Sequence, residues 1–348
     1  MNVLQVCHKY YPYIGGIEEY VKNVSERLSR YHAVTVFTCD PFGKLPKKEI
    51  INGVLIRRFK SFSRDDAYHL SLEMKRELER CDFDIVHGHN YHAFPLHLCR
   101  YVRNGRLVVN PHYHGHGHTF FRDLLVKLSK PFGKATLAHA DRIVAVSEYE
   151  KKLLIKDFGI TKDKISIIPG GVDLKEFIQI GEMPRDKKTI LYVGRLEKYK
   201  GIQHIVKALP FLSNDFRMRI VGSGSYKGEL KKLINRLGLD NRISFYESVP
   251  REELLRLYAD SGVFVMLSRY EAYSLVLAEA LASKTPCVVA NTSALADWID
   301  NRNCFGIDYP IKRSNLVELI PKVVDTKAGD VRIWDWDEVT TKLIELYR

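Results

Sequence analysis

Apolar and polar positions along the chain switch repeatedly between two periods. Short apolar runs read as buried strands at Val3–Cys7, Val34–Thr38, Leu55–Phe59, Ile85–His87, Leu107–Asn110 and Ile143–Val146. The theme repeats at Thr189–Val193, Arg217–Val221, Ile243–Tyr246, Val263–Leu267 and Pro286–Ala290. Helical stretches lie between several of them, including Glu18–Ser29, Lys151–Phe158 and Leu275–Ala282. Strands alternating with helices predict parallel sheets covered on both faces. The pattern breaks between Asp173 and Arg185, where Pro184 and charge interrupt it. The fold class expected is therefore α/β, with two Rossmann-like domains spanning 1–172 and 173–334. A chain of 348 residues is long enough to need two cores.

Ligands of open parallel sheets bind beyond the carboxyl ends of the strands, and the conspicuous motifs all fall there. Glu271 and Glu279 stand eight residues apart, one in the loop after a strand and one on the following helix. Eight residues is a little over two helical turns, so both acids are within reach of one ligand. A carboxylate accepts two hydrogen bonds from a vicinal diol, which suits a sugar at one end and a ribose at the other. The bland alternative is a solvated acid and a helical acid in an ordinary crossover. Upstream, Tyr192–Gly201 is a strand ending in Gly194-Arg195, with Lys200 five residues later. Fixed cations there suit a phosphate group, Arg by gripping two oxygens and Lys as a point charge. A solvated lysine loop would look similar. Gly15-Gly16 sits between a Tyr/Pro-rich loop and a helix, where backbone can approach an anion closely. A plain βα turn is the competing account, and the dinucleotide fingerprint G-x-G-x-x-G is absent.

Together with Pro169-Gly170-Gly171-Val172-Asp173 and Val221-Gly222-Ser223-Gly224, this ordered set resembles the retaining glycosyltransferases of the GT-B fold, glycosyltransferase family 4 above all. The likeness runs from Gly15-Gly16 to the last helix. It implies two domains facing a central cleft, an acceptor-binding first domain and a donor-binding second one. It also implies a final helix, 335–348, crossing back to the first domain. Arg195 and Lys200 would hold the donor pyrophosphate. Gly15, Gly16, Gly222 and the main chain of Ser274 and Leu275 would add donor contacts. Glu279 would take the ribose hydroxyls and Glu271 would act nearer the sugar. Related enzymes carry a histidine after the strand Leu107–Asn110. His112 matches it and His114 is the one-register alternative, so the catalytic set expected is His112, Glu271, Arg195 and Lys200, with Tyr13 and His114 on the acceptor side.

Three places depart from the family pattern. The usual Gly-Phe-Gly is Ala272-Tyr273-Ser274, glycines after the Pro286 strand are Ser293-Ala294, and the acid downstream is Asp297. Ser274 adds a side chain where the donor sugar would approach, which puts donor-sugar identity in question.

The run Pro111–His118 invites a zinc reading, since imidazole is a common ligand. It lacks a carboxylate or cysteine partner in sequence reach, and Gly115 and Gly117 make it a loop; no metal is expected. With two cations at the pyrophosphate and no Asp-x-Asp motif, no cofactor is expected beyond the nucleotide sugar itself. Phe120–Lys130, ending at Pro131-Phe132, reads as a basic amphipathic helix. It either buries one face in the first domain or, as in membrane-associated relatives, meets a bilayer or lipid acceptor.

Charge sharpens that choice. Residues 1–175 carry 28 Lys and Arg against 19 Asp and Glu, whereas 176–348 carry 26 against 23. A basic first half suggests an anionic partner, a lipid-linked or phosphorylated acceptor at a membrane surface. Nucleic acid ranks last, because no stacking aromatics interleave the basic residues. The cysteines 7, 39, 81, 99, 287 and 304 are scattered without a C-x-x-C pair, no run spans a bilayer, and no signal peptide opens the chain. The expectation is cytoplasmic, with a peripheral position on the inner face of the plasma membrane as the alternative to a freely soluble one. A same-fold nucleotide-sugar 2-epimerase and a non-catalytic nucleotide-sugar-binding protein are the rival functions. The first would need a carboxylate set for proton abstraction, which the sequence does not place. The intact Arg195, Lys200, Glu271 and Glu279 speak against the second.

Overall fold

The computed structural model describes the chain apart from residues 65, 66, 118, 119, 182 and 327, and apart from the side chains of 64, 67 and 120–122. Two compact units result: Met1–Gly171 with Trp336–Arg348, and Val172–Asp335. The strands of the first are β1 (Asn2–Val6), β2 (Ala33–Cys39), β3 (Lys48–Ile51), β4 (Val54–Phe59), β5 (Phe62–Arg64), β6 (Ala67–Leu70), β7 (Ile85–His89), β8 (Arg106–Asn110), β9 (Arg142–Ala145) and β10 (Ile165–Ile167). Those of the second are β11 (Asp186–Val193), β12 (Arg217–Val221), β13 (Ile243–Tyr246), β14 (Ser261–Met266), β15 (Cys287–Asn291) and β16 (Cys304–Asp308).

The first sheet runs β10-β9-β8-β7-β1-β2-β4-β3 and the second β13-β12-β11-β14-β15-β16. Every pairing is parallel except at the β3 edge, where β3 meets β4 antiparallel, and in the small β5–β6 pair. The all-parallel expectation fails there for a local reason. Asn52 and Gly53 both take positive φ, 49° and 79°, and join Ile51 to Val54 in a two-residue hairpin. Asn-Gly between apolar runs is the usual sign of such a turn. Separate apolar cores fill the units, one around Leu4, Phe37, Val86, Tyr113 and Phe158, the other around Ile190, Tyr192, Phe264, Leu277 and Val288.

The helix after β8 runs from Phe120 to His139, through Pro131, where the sequence pattern ends it at Pro131-Phe132. Burial of Val126, Thr136 and Leu137 against the first core holds it together despite the hydrogen bond that proline cannot make. Leu124, Leu125 and Leu128, by contrast, are exposed. Phe120, Phe121 and Arg122 are helical, but their side chains lie outside the described residues.

The last helix, Trp336–Tyr347, belongs to the first unit, as the resemblance implied. It packs on Gly16–Leu28 through Arg27 Nε to Asp337 at 3.0 Å and an edge-on Tyr20–Trp336 ring contact. Its Tyr347 hydroxyl lies 2.7 Å from His87 Nδ1 and accepts from Gln5 Nε2 at 3.3 Å. His89 Nε2 meets Gln5 Oε1 at 2.7 Å, and its ring stacks 5.8 Å from His112. Burial, helped by neighbouring imidazoles, drives His87 and His112 down to about 3 and His89 and His92 well below their usual value. Burial likewise takes His97 to about 4.

These five rings must be neutral in the fold, which sets a pH dependence. The unfolded chain protonates them below about pH 6.5, so folding stability falls as pH drops from there toward 4, by about 1.4 kcal/mol per pH unit for each fully shifted ring. Glu150, pushed up to about 8 by burial, has the opposite sign between pH 4.5 and 8 and offsets one ring. Urea midpoints should therefore decline steeply from pH 6.5 to 5. A flat profile would mean that the rings take up protons in the native state as readily as in the unfolded chain.

Candidate active site

β11 is the pivot of the second sheet, with β12 on one side and β14 on the other. Connections leaving a strand at such a reversal diverge and open a crevice at its carboxyl end. The loop after β11 carries Gly194, Arg195 and Lys200. The loop after β14 carries Glu271 and ends at Ser274, which caps the helix Leu275–Ala282. Backbone packs on backbone where they meet. Gly201 has φ 76°, and a Cβ there would lie 2.2 Å from the Leu267 carbonyl oxygen. Gly222, φ 135°, would place one 2.1 Å from the Gly194 carbonyl oxygen.

Lys200 Nζ reaches Glu271 Oε1 at 2.6 Å, with both side chains nearly enclosed. Burial opposes the ammonium's charge, but the Glu271 carboxylate outweighs it and the net displacement is upward. Arg195 is exposed; its Nη2 donates to the Tyr199 hydroxyl at 3.1 Å, and its carbonyl accepts from Tyr192 at 2.9 Å. Glu271 is held by its main chain as well. Its N–H donates to Ser293 Oγ at 3.1 Å, and its carbonyl accepts from Ala294 at 3.3 Å.

The departures from the family pattern now have a physical reading. Ser274 sits at φ 91° and Ser293 at φ 51°, conformations that favour glycine. Ser274 is buried and turned inward: its Oγ donates to Met266 Sδ at 3.1 Å and accepts from Leu277 N–H at 3.4 Å. The hydroxyl expected to crowd a donor sugar is an N-cap instead. Main-chain N–H groups at a helix start favour an anion in general. Glu279 lies one turn further along and is held by a neighbouring helix, Arg251–Asp260. Tyr258 donates to its Oε2 at 3.0 Å, and Arg251 Nη1 to its Oε1.

In the first unit the corresponding pivot is β1, between β2 and β7. Gly15 is the extended N-cap of Gly16–Leu28, and the Glu18 carboxylate folds back over it while pairing with His8 Nε2 at 3.3 Å. The helix start is thus already faced by an acid of the chain itself. Tyr13 is half-buried, with Lys9 Nζ 4.9 Å from its ring centroid. His112 takes φ 49° just past β8, edge-on to Tyr20, and its Nε2 is buried without a hydrogen-bond partner. His114 stacks on His92, 4.6 Å away, rather than on His112. Glu150 fixes this segment, accepting from Tyr113 N–H at 2.5 Å and Val146 N–H at 2.7 Å. Among the described residues no group of three His, Cys, Asp or Glu side chains is placed to hold a metal; His118 lies outside them.

Comparison with known proteins bears on the family and the fold. The model described as Glycosyltransferase Family 4 matches residues 14–176, and that described as Glycosyl transferases group 1 matches 173–328. The chain belongs to glycosyltransferase family 4. An uncharacterized glycosyltransferase of Methanocaldococcus jannaschii is 26% identical, covering 100% of this chain and 98% of its own length. A GDP-mannose:cellobiosyl-diphosphopolyprenol alpha-mannosyltransferase of Xanthomonas oryzae is 27% identical over 81% of this chain and 77% of its own. The structure of Anabaena HepE in complex with UDP and glucose superposes with a TM-score of 0.78 at 16% identity, covering 99% of this chain and 98% of that one. It shares the two-domain GT-B fold.

Sequence reasoning missed Arg251 and Tyr258 in this glycosyltransferase, and named Ser293 only as a departure from the family pattern. Arg251 after Pro250 reads as any solvated residue opening a helix, and only Ser293, standing where the family has glycine, carried a signal. The Lys200–Glu271 pair yields a stability test. Glu271→Ala leaves an enclosed ammonium without its partner, so urea unfolding should show a loss of about 3–5 kcal/mol. Lys200→Met with Glu271→Gln should recover much of it. A loss below about 1 kcal/mol is what an exposed pair would give.

Proposed function

We propose that this glycosyltransferase moves a sugar from a nucleoside-diphosphate donor to a hydroxyl acceptor with retention of anomeric configuration. The observation that carries the reading is the set at the β11/β14 reversal: exposed Arg195, the Lys200–Glu271 pair and the Ser274–Leu275 helix start, all on loops tied backbone to backbone. As the glycosidic bond breaks, negative charge gathers on the departing diphosphate. Arg195 and Lys200 stabilise it more than they stabilise the bound ground state, with no metal required. Glu271, bonded to Lys200, is placed on the sugar side, and Glu279 takes the ribose. Retention is inferred from the motif order shared with retaining members. His112, kept neutral by burial, is an acceptor for a sugar hydroxyl, with Gly15, Gly16, Tyr13 and His114 on the same domain.

The acceptor is proposed to be lipid-linked or anionic and the protein to sit peripherally on the cytoplasmic face of a membrane. Exposed Leu124, Leu125 and Leu128 share a helix with exposed Lys127 and Lys134, on the more basic half of the chain. Among the described residues no helix is long and apolar enough to cross a bilayer. The Xanthomonas relative is named for a diphosphopolyprenol acceptor.

Two measurements test this. With excess chelator present, the wild type should keep its turnover, and Arg195→Ala should lower kcat by about 10–100-fold with a smaller change in donor binding. Unchanged turnover in the variant, or loss in the wild type that Mg²⁺ restores, would overturn the leaving-group assignment. Sedimentation with anionic vesicles should show binding that weakens with salt, at about 1 kcal/mol per basic residue engaged, and weakens further in Leu124→Ser/Leu128→Ser. No vesicle binding at any salt concentration would favour a soluble sugar acceptor.

A further inference from the structure

Glu279 is held by two donors from a single helix. Arg251 and Tyr258 are seven residues apart on Arg251–Asp260, two turns along one face, and each engages a different oxygen of the Glu279 carboxylate. Tyr258 is fully buried, and the Glu279 side chain is only 14% exposed. Arg251 is itself anchored. Its Nε and Nη2 both lie 2.8 Å from Glu176 Oε2, on the helix Leu174–Ile180, and its guanidinium stands 5.8 Å from the Phe177 ring centroid. One edge of the guanidinium serves Glu176, and the remaining nitrogen serves Glu279. A planar fork with five N–H donors holds both in fixed directions, whereas a lysine offers one point charge.

From this geometry we infer that Arg251, with Tyr258, is a positioning residue for donor recognition, locking the Glu279 carboxylate in the orientation that reads the ribose diol of the nucleoside diphosphate. The inference rests on the assignment of Glu279 to the ribose. The clamp engages both oxygens of the carboxylate and so fixes its rotamer. A diol reaching a carboxylate of fixed rotamer gains both hydrogen bonds without first ordering the side chain. A carboxylate released from the clamp must be ordered by the ligand, and the advantage of the second hydroxyl shrinks. Arg251 therefore sets selectivity for ribose over deoxyribose while touching neither phosphate nor sugar.

The test is calorimetry on the full chain with UDP, GDP and ADP, followed by the 2′-deoxy counterpart of whichever binds. The wild type should prefer the ribose form by about tenfold or more, as expected for a hydrogen bond to a charged group. Arg251→Ala should lower affinity for the ribose form and reduce the preference to about twofold or less. Arg251→Lys should restore only part of it. Tyr258→Phe, which removes a single oxygen, should give an intermediate loss and keeps the test open if Arg251→Ala does not fold. A wild-type preference in Arg251→Lys and Tyr258→Phe alike, while Glu279→Gln abolishes it, would overturn the clamp alone. A preference that survives Glu279→Gln would instead remove the ribose assignment on which the clamp rests.

Discussion

Close approach of main chains at the carboxyl end of the second sheet is the constraint from which the candidate site follows. With Gly201 against the Leu267 carbonyl and Gly222 against that of Gly194, the loops leaving β11, β12 and β14 are separated by less than the width of a methyl group. A side chain at either position would push them apart by more than an ångström. Because the loops touch, Lys200 meets Glu271 across 2.6 Å and Leu196 N–H donates to the Ser223 carbonyl at 2.8 Å. The loops that carry Arg195 and Lys200 are thus tied to their neighbours through main chain, and both side chains start from a fixed position.

Much of this was legible in the sequence, for identifiable reasons. The helix Leu275–Ala282 reads with its observed limits, since its apolar run marks it. Strands β12 and β13 also matched, being short apolar runs between clear breaks. What escaped was of two kinds. The β3–β4 hairpin carried a readable Asn-Gly signal that the alternating pattern overshadowed, and the helix through Pro131 obeyed tertiary packing against local propensity. Arg251 and Tyr258 escaped for a deeper reason. Their role depends on which helix lies beside Leu275–Ala282, and neither spacing nor composition encodes that neighbour.

The serines at 274 and 293 show how a departure from a family pattern can be absorbed. Each keeps the backbone conformation that glycine would adopt most easily, at a cost of about 1–2 kcal/mol, and each recovers part of that through its hydroxyl. Ser274 caps the helix whose start faces the crevice, and Ser293 holds the Glu271 main chain. The hydroxyls thus offset part of the backbone strain and tie down the chain beside the acids.

The helix Trp336–Tyr347 has a consequence for how the molecule comes into being. Gln5 Nε2 and His87 Nδ1, buried early in the chain, meet the Tyr347 hydroxyl. During synthesis the first domain must wait, with that surface uncovered, while the whole second domain is made. At roughly 5–20 residues per second the delay is on the order of ten seconds or more. The second domain, contiguous from Val172 to Asp335, has no such debt and is free to fold as it leaves the ribosome. Order of emergence and order of completion are thereby reversed, and the half of the protein translated first is finished last.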